Sequence, residues 1–394
     1  MDELSILGRN FPLFKNDLEK HDNVITEIVR DSKFLVIGGG GTIGQAVTKE
    51  LFKRHAKVLH VVDLNESYLA ELVRDVRSSF LNTVNDFDTF SLDCGAPYFR
   101  SFLITGKYDY VLNLSAMKHV RSENSAFSMY RMFHTNVVNA LNTYRWSVES
   151  GVCNYFCVSS DKATNPVNYM GATKRAMELC LMLDNLQVPI SGARFANVAF
   201  SNGSILESFR NRISKCQPLS IPLDIERYFI TSQEAGIICL FATVLCRSNE
   251  IFFPKNSSEI RLTKFKAVVE NYLRLIDKTP IFIDNEEEAK ASMFSMDTKK
   301  YWPVNTFHTD TVGEKPFEEF YDSIERVDET RFDELATINF LSPYSDAQIR
   351  DFIDRFVLID PNSKYARYEM LEAIASFVPS FNHTGGEKFL NERM

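Results

Sequence analysis

A doubly wound α/β fold, one parallel sheet with helices on both faces, is what this 394-residue sequence predicts, and three observations carry the prediction. Short apolar runs alternate with runs of helical length from Lys33 to Phe195, the pattern of parallel strands joined by crossover helices. A glycine-rich string, Gly38 to Gly44, stands between the first strand and the first helix of that alternation. A polar string, Ser159 to Lys174, follows a later strand and so falls at the carboxyl edge of the sheet, where such folds bind ligands.

The elements follow in order. Lys33 to Ile37 reads as a buried strand, and glycines at 38, 41 and 44 open a helix from Thr42 to Lys53. Such glycines permit a tight turn and let backbone N–H groups approach a pyrophosphate at the positive end of the helix. A second strand, Lys57 to Val62, ends at Asp63, nineteen residues after Gly44, close to the spacing of a carboxylate that bonds an adenosine ribose. Gly38, Gly41, Thr42, Ile43, Gly44 and Asp63 are therefore candidate cofactor-binding residues. The residues after Asp63 are Leu64, Asn65 and Glu66, so a 2′-phosphate would meet negative charge and NAD is favoured over NADP.

The alternation continues through helix Glu66 to Ser79, strand Asp88 to Leu92, helix Tyr98 to Thr105 and strand Tyr110 to Leu114. Asp93 is placed to reach an adenine edge, an exposed loop acid being the plain alternative. Ser115 and Ala116 are small residues where a cofactor could lie against the sheet edge. Helix Phe127 to Glu149 and strand Asn154 to Val158 then deliver the polar string. In it Asp161 and Lys162 are a potential acid and base side by side, and Met170 and Lys174 share one face of the helix expected from Met170 to Asn185. After a sixth strand, Ile190 to Phe195, the text turns to loops. There Asn197 and Arg227 are candidates to hold a second ligand's phosphates, arginine by forked hydrogen bonds, against a plain turn and surface ion pair.

This gives a Rossmann-type nucleotide-binding domain at 31–195 and a smaller, partly interleaved substrate-binding lobe at 196–329. An N-terminal arm occupies 1–30 and a helical appendage 330–394, with Ile349, Phe352, Ile353 and Phe356 at helical spacing. A hydrophobic content of 45% and charged content of 24% are those of a globular protein. The net charge of −8 without a Lys/Arg block argues against nucleic acid. Neither a membrane-length apolar run nor a basic leader is present, so a cytoplasmic protein is expected. Seven cysteines (94, 153, 157, 180, 216, 239 and 246) and seven histidines lack paired ligand spacing, and no metal site is expected.

Together with Lys118-His119-Val120, Thr135-Asn136, Arg194-Phe195 and the run Gly313 to Glu319, these residues resemble the extended short-chain dehydrogenase/reductases of polysaccharide biosynthesis. More narrowly they resemble UDP-N-acetylglucosamine 4,6-dehydratases, over roughly Leu7 to Phe320. The resemblance implies NAD, a UDP-sugar contacted by Lys118, His119, Asn136, Asn197 and Arg227, and a homo-oligomer, dimer or higher. It also implies a reaction for bacterial surface glycans: C4 is oxidised, water is eliminated across C5 and C6, and hydride returns to C6.

In that reaction Lys162 would be the C5 base and Asp161 the acid at the C6 oxygen. Lys174 would hold the nicotinamide ribose and, with Ser160, remove the C4 hydroxyl proton. Met170 stands where the wider superfamily has the tyrosine of Tyr-x-x-x-Lys, a replacement shared by this dehydratase branch. Tyr169 is next to it but about 100° around the helix. Ser160 replaces the branch's usual threonine, and residues 222–226 lack its usual His-Pro-Asp-x-Thr run. A nucleotide-sugar 4-epimerase or ketoreductase is the alternative, disfavoured by Met170 and by the idle Asp161–Lys162 pair it would leave. A silent NAD sensor is disfavoured by the intact Asp161, Lys162 and Lys174.

Overall fold

Six strands come first in the chain: β1 (Lys33–Ile37), β2 (Val58–Asp63), β3 (Phe87–Ser91), β4 (Tyr110–Asn113), β5 (Asn154–Val158) and β6 (Ile190–Ala193). They pair in parallel, in the spatial order β3-β2-β1-β4-β5-β6, the order of a Rossmann-type sheet. The chain leaves β1 toward one side and β4 toward the other, so a crevice opens outside their carboxyl ends. The computed structural model that shows this describes residues 2–81, 84–184, 186–255, 260–309 and 315–383. All five residues of β5 are buried, as a strand covered on both faces requires.

The helices after β1 and β2 span Thr42–Lys53 and Glu66–Ser79, as the sequence predicts. The single helix expected from Phe127 to Glu149 is instead Ala126–Phe133 and Asn139–Ser150, joined by a π turn at His134–Val138. That wider turn lies where Asn136 binds both the N–H and the C=O of Met117, at 2.8 and 3.0 Å.

The main sheet does not stop at β6. Glu250–Pro254 adds in parallel to β6, Leu335–Asn339 pairs antiparallel with it, and Arg326–Asp328 closes the edge of a nine-stranded sheet. Ile251, Phe252 and Phe253 are buried, so the core reaches into sequence beyond the first alternation. A second, three-stranded parallel sheet of Leu219–Pro222, Tyr301–Phe307 and Thr279–Ile283 carries its own core, including Phe209, Ile221, Tyr272, Trp302 and Val304.

The N-terminal residues join the two bodies. Ile6 and Leu7 belong to the smaller core, whereas Ile25 and Val29 of helix Lys15–Asp31 belong to the larger. Two reciprocal carboxylate caps lock that helix to the far end of the chain. Asp17 accepts from the N–H groups of Asp333, Glu334 and Leu335, and Glu334 accepts from those of Phe14 and Asn16.

Helices Asp346–Val357 and Ala366–Phe377 bury Ile349, Phe352, Phe356, Met370, Ile374 and Phe377 in the main core. Phe352 stacks on Phe377 with ring centroids 3.9 Å apart. Each such side chain contributes about 1.5–3 kcal/mol by leaving water. Among the described residues no helix is long and apolar enough to cross a membrane.

Candidate active site

Three cavities of about 380, 650 and 410 Å³ run along the carboxyl edge of the main sheet and share lining residues. The first is bounded by Gly38, Gly41, Asp63, Asp93, Ser115 and Ala116. Gly38 has φ +77°, and a Cβ there would lie 2.7 Å from the Ser115 nitrogen; only glycine lets the loop lie so close to the end of β4. The Asp63 carboxylate accepts from Gly40 N–H at 2.9 Å and Asn65 N–H at 2.8 Å, which ties the end of β2 to the loop. Gly41 caps helix Thr42–Lys53 without a side-chain hydrogen bond, so the helix's amide donors and dipole favour an anion there.

Gly38, Gly41, Thr42, Ile43 and Gly44 also line the middle cavity, opposite Ser160, Asp161, Lys162, Met170 and Lys174. Beyond β5, Ser160 caps a short 3₁₀ turn, Asp161–Ala163, by accepting from Lys162 N–H. Oδ1 of Asp161 accepts from the Ser160 hydroxyl at 2.9 Å, Lys162 N–H at 2.8 Å and Lys162 Nζ at 3.3 Å. Lys162 Nζ also stands 3.5 Å from Asn197 Oδ1 and 3.7 Å from Glu318 Oε1. The turn can press on the next helix because residue 171 is glycine: a Cβ there would lie 2.3 Å from the Lys162 carbonyl oxygen.

That next helix, Tyr169–Leu181, is buried along its whole length. Lys174 donates from Nζ to the Val158 carbonyl at 2.9 Å, and burial pushes its amine below the usual lysine range. Met170 lines the cavity. Tyr169 is fully buried and its hydroxyl donates to the Met129 carbonyl at 3.2 Å, so it offers nothing to the cavity that Met170 lines.

His119, Lys162, Asn197 and Ser201 connect the middle cavity to the third, which Arg227 closes. Lys118 Nζ donates to Ser201 Oγ at 3.4 Å. Asn197 is brought beside Arg227 by parallel pairing of Asn197–Val198 with Phe229–Ile230. Arg227 is buried rather than a surface residue, and its Nη1 donates to the carbonyls of Glu226, Lys315 and Pro316.

One expected substrate contact is corrected. Asn136 is buried and lines none of these cavities; its amide hydrogens bond the Met117 carbonyl and Thr173 Oγ1, and its oxygen accepts from Met117 N–H. It shapes the loop before Lys118 instead of reaching into the groove.

No local pattern marks Glu318 or Lys315 for a role, although both lie in the run 313–319. Gly313 and Glu314 of that run are outside the described residues. Burial raises the Glu318 carboxyl above its usual range, with Lys162 opposing the shift. Behind the site, buried Arg194 bridges Glu178 and Glu325 at 2.7–3.0 Å, and Arg175 bonds Glu325 at 2.7 Å. Burial alone would push Glu325 up, but its bonds to Arg194 and the charges of Arg194 and Arg175 outweigh it and hold the carboxyl at about 2. Away from the groove, His60, Asp86 and Asp88 bring donor atoms within 4.8 Å of one another, with the His60 ring nitrogens already engaged by Tyr108 and Asp86.

The chain is similar to an uncharacterized membrane protein, MJ1061, of Methanocaldococcus jannaschii, at 32% identity over 62% of this chain and 72% of that one. It is 29% identical to an inverting UDP-N-acetylglucosamine 4,6-dehydratase of Campylobacter jejuni, over 56% of this chain and 66% of the enzyme. Against the capsular polysaccharide biosynthesis protein CapD of Staphylococcus aureus the identity is 24%, and the chain spans only 44% of that longer relative. Among solved structures, Pen from Bacillus thuringiensis shares the fold, with TM-score 0.63 and 21% identity over 80% of this chain and 89% of Pen. Residues 34–339, which carry the whole groove described above, match the family described as polysaccharide biosynthesis protein, and the chain belongs to that family.

Proposed function

We propose that the chain is a nucleotide-sugar 4,6-dehydratase that converts UDP-N-acetylglucosamine to a UDP-4-keto-6-deoxy-N-acetylhexosamine, with NAD as its resident cofactor. The observation that carries this reading is an amine and an acid, Lys162 and Asp161, 3.3 Å apart beside Met170 in the groove that the glycine loop lines. A plain epimerase or reductase would leave that pair idle and lacks its usual tyrosine. The Campylobacter relative bears the name of this activity.

The residues present fit NAD: Gly38 clears the path of the loop, the helix start at Thr42 lacks a side-chain cap, and Asp63 stands at the end of β2. Bound NAD would supply the oxidant for C4 and the reductant for C6. Asp63 would hold the adenosine ribose and Lys174 the nicotinamide ribose. Ser160 and Lys174 would draw the proton from the C4 hydroxyl. Lys162 Nζ would take the C5 proton, acidified by the neighbouring ketone, and Asp161 would protonate the C6 oxygen as it leaves. Lys118, His119, Asn197 and Arg227 would hold the sugar and its pyrophosphate.

The test is incubation with NAD and UDP-N-acetylglucosamine, followed by mass spectrometry. Loss of one water from the sugar is expected. An isomer of unchanged mass would favour the 4-epimerase, loss of two hydrogens with stoichiometric reduced nicotinamide a ketoreductase running in reverse, and unreacted sugar would sink the reading.

A further inference from the structure

Glu318 reaches the site from a segment held in place at several points. Arg227 Nη1 grips the carbonyls of Lys315 and Pro316 at 2.9 and 3.1 Å, and Lys315 Nζ donates to the Thr164 carbonyl at 2.9 Å. Two residues past Glu318, the Phe320 carbonyl accepts from Arg194 at 2.8 Å. These ties bring a carboxyl that is 3% exposed to within 3.7 Å of Lys162 Nζ, on the lysine that Asp161 already contacts. Its Oε1 faces the amine. Its Oε2 is buried and has no hydrogen-bond partner among the described residues, the Lys315 ammonium standing 3.9 Å away.

A buried carboxylate oxygen without a donor is costly while charged and much less so when protonated. The groups facing Glu318 are Lys162, Arg227 and Lys315, which favour its charged form, and Asp161, which opposes it; burial outweighs the cations. We propose that Glu318 is a positioning residue for Lys162, holding the ammonium opposite Asp161 and accepting one of its protons when bound sugar shields the pair from water. One N–H bond of Lys162 breaks, one O–H bond forms on Glu318, and the net charge of the pair is unchanged. Lys162 is then an uncharged amine able to take the C5 proton at neutral pH. This rests on the reading of Lys162 as the C5 base.

The test compares wild type with Glu318→Gln and Glu318→Asp across neutral pH, following turnover, deuterium exchange at C5 and reduced-nicotinamide absorbance on adding UDP-N-acetylglucosamine. Wild-type turnover should be flat with pH. In Glu318→Gln the lysine proton must go to bulk water, so turnover should fall by roughly 10²-fold at neutral pH and climb about tenfold per pH unit. C4 oxidation should persist in that variant, and Glu318→Asp should regain most of the loss. A Glu318→Gln profile of unchanged shape, or C4 oxidation lost in step with C5 exchange, would overturn the proposal.

Infrared difference spectra cover the case of a variant that does not fold. Sugar binding to the wild type should add a protonated-carboxyl band that Lys162→Met fails to gain, and no such band in the wild type overturns the proposal too. If Lys162→Met exchanged C5 as fast as wild type, the base assignment itself would fail, a result distinct from an unaltered Glu318→Gln profile.

Discussion

The two ends of the groove are built in opposite ways. The end around Gly38, Gly41 and Asp63 comes chiefly from one continuous stretch, strand, loop, helix and strand, with Asp63 tied directly to the loop by its bond to Gly40. The end around Lys162 draws on residues near 119, 162, 197, 227 and 318, held by Arg227, Lys315 and the Arg194–Glu325 network. A site made from neighbours in sequence is stabilised by local turns and caps. One made from distant segments depends on buried ties outside the cavity, so its chemistry and its folding stability are coupled.

Cutting such a tie is the strongest way to break that contrast. Glu325→Gln should cost about 3–5 kcal/mol, because it removes one partner of a buried charge network, and the check is the denaturant midpoint. In the wild type the carboxyl sits below its unfolded value. Its contribution is therefore present above the unfolded pKa near 4.5 and is lost as pH falls toward about 2. Resistance to acid unchanged by Glu325→Gln would show that the network does not couple to folding.

Lys162→Met probes chemistry at the same end without cutting a fold-wide tie. Turnover should drop by roughly 10²-fold or more, about 2.7 kcal/mol of barrier. Reduced-nicotinamide absorbance should still appear on mixing with sugar, since C4 oxidation precedes the step assigned to Lys162. A folded variant that binds both ligands yet shows no such absorbance would move Lys162 to the C4 step, and full turnover would point to Asp161 as the base.

Arg227→Ala should raise KM far more than it lowers kcat, by about 2 kcal/mol for hydrogen bonds to a charged group. Release of Lys315 and Pro316 should add a smaller kcat loss through Glu318. An unchanged KM would leave this arginine only its structural anchors. At the opposite end, Asp63→Ala should weaken NAD binding by about 1.5 kcal/mol and narrow the preference over NADP, with a smaller loss of thermal stability than Glu325→Gln because only the local bonds to Gly40 and Asn65 go. Calorimetry showing tighter NADP than NAD binding in the wild type would overturn the reading of Asp63.

These contrasts match what could be read before folding. The glycine loop, Asp63, the strand delivering Asp161 and Lys162, and the separation of Tyr169 from Met170 were all legible. Each depends on backbone geometry over a few residues: a φ only glycine adopts freely, a helix start, or the angle between successive helical side chains.

Tertiary structure decided the rest. It committed Asn136 to the main chain of Met117 through a π turn, added Glu250–Pro254 and Leu335–Asn339 to the main sheet, and laid two C-terminal helices on its core. It also carried Glu318 to Lys162 across more than a hundred residues. No local pattern encodes those meetings, because their free energy comes from burying apolar faces and pairing charges between segments that approach only when the whole chain closes.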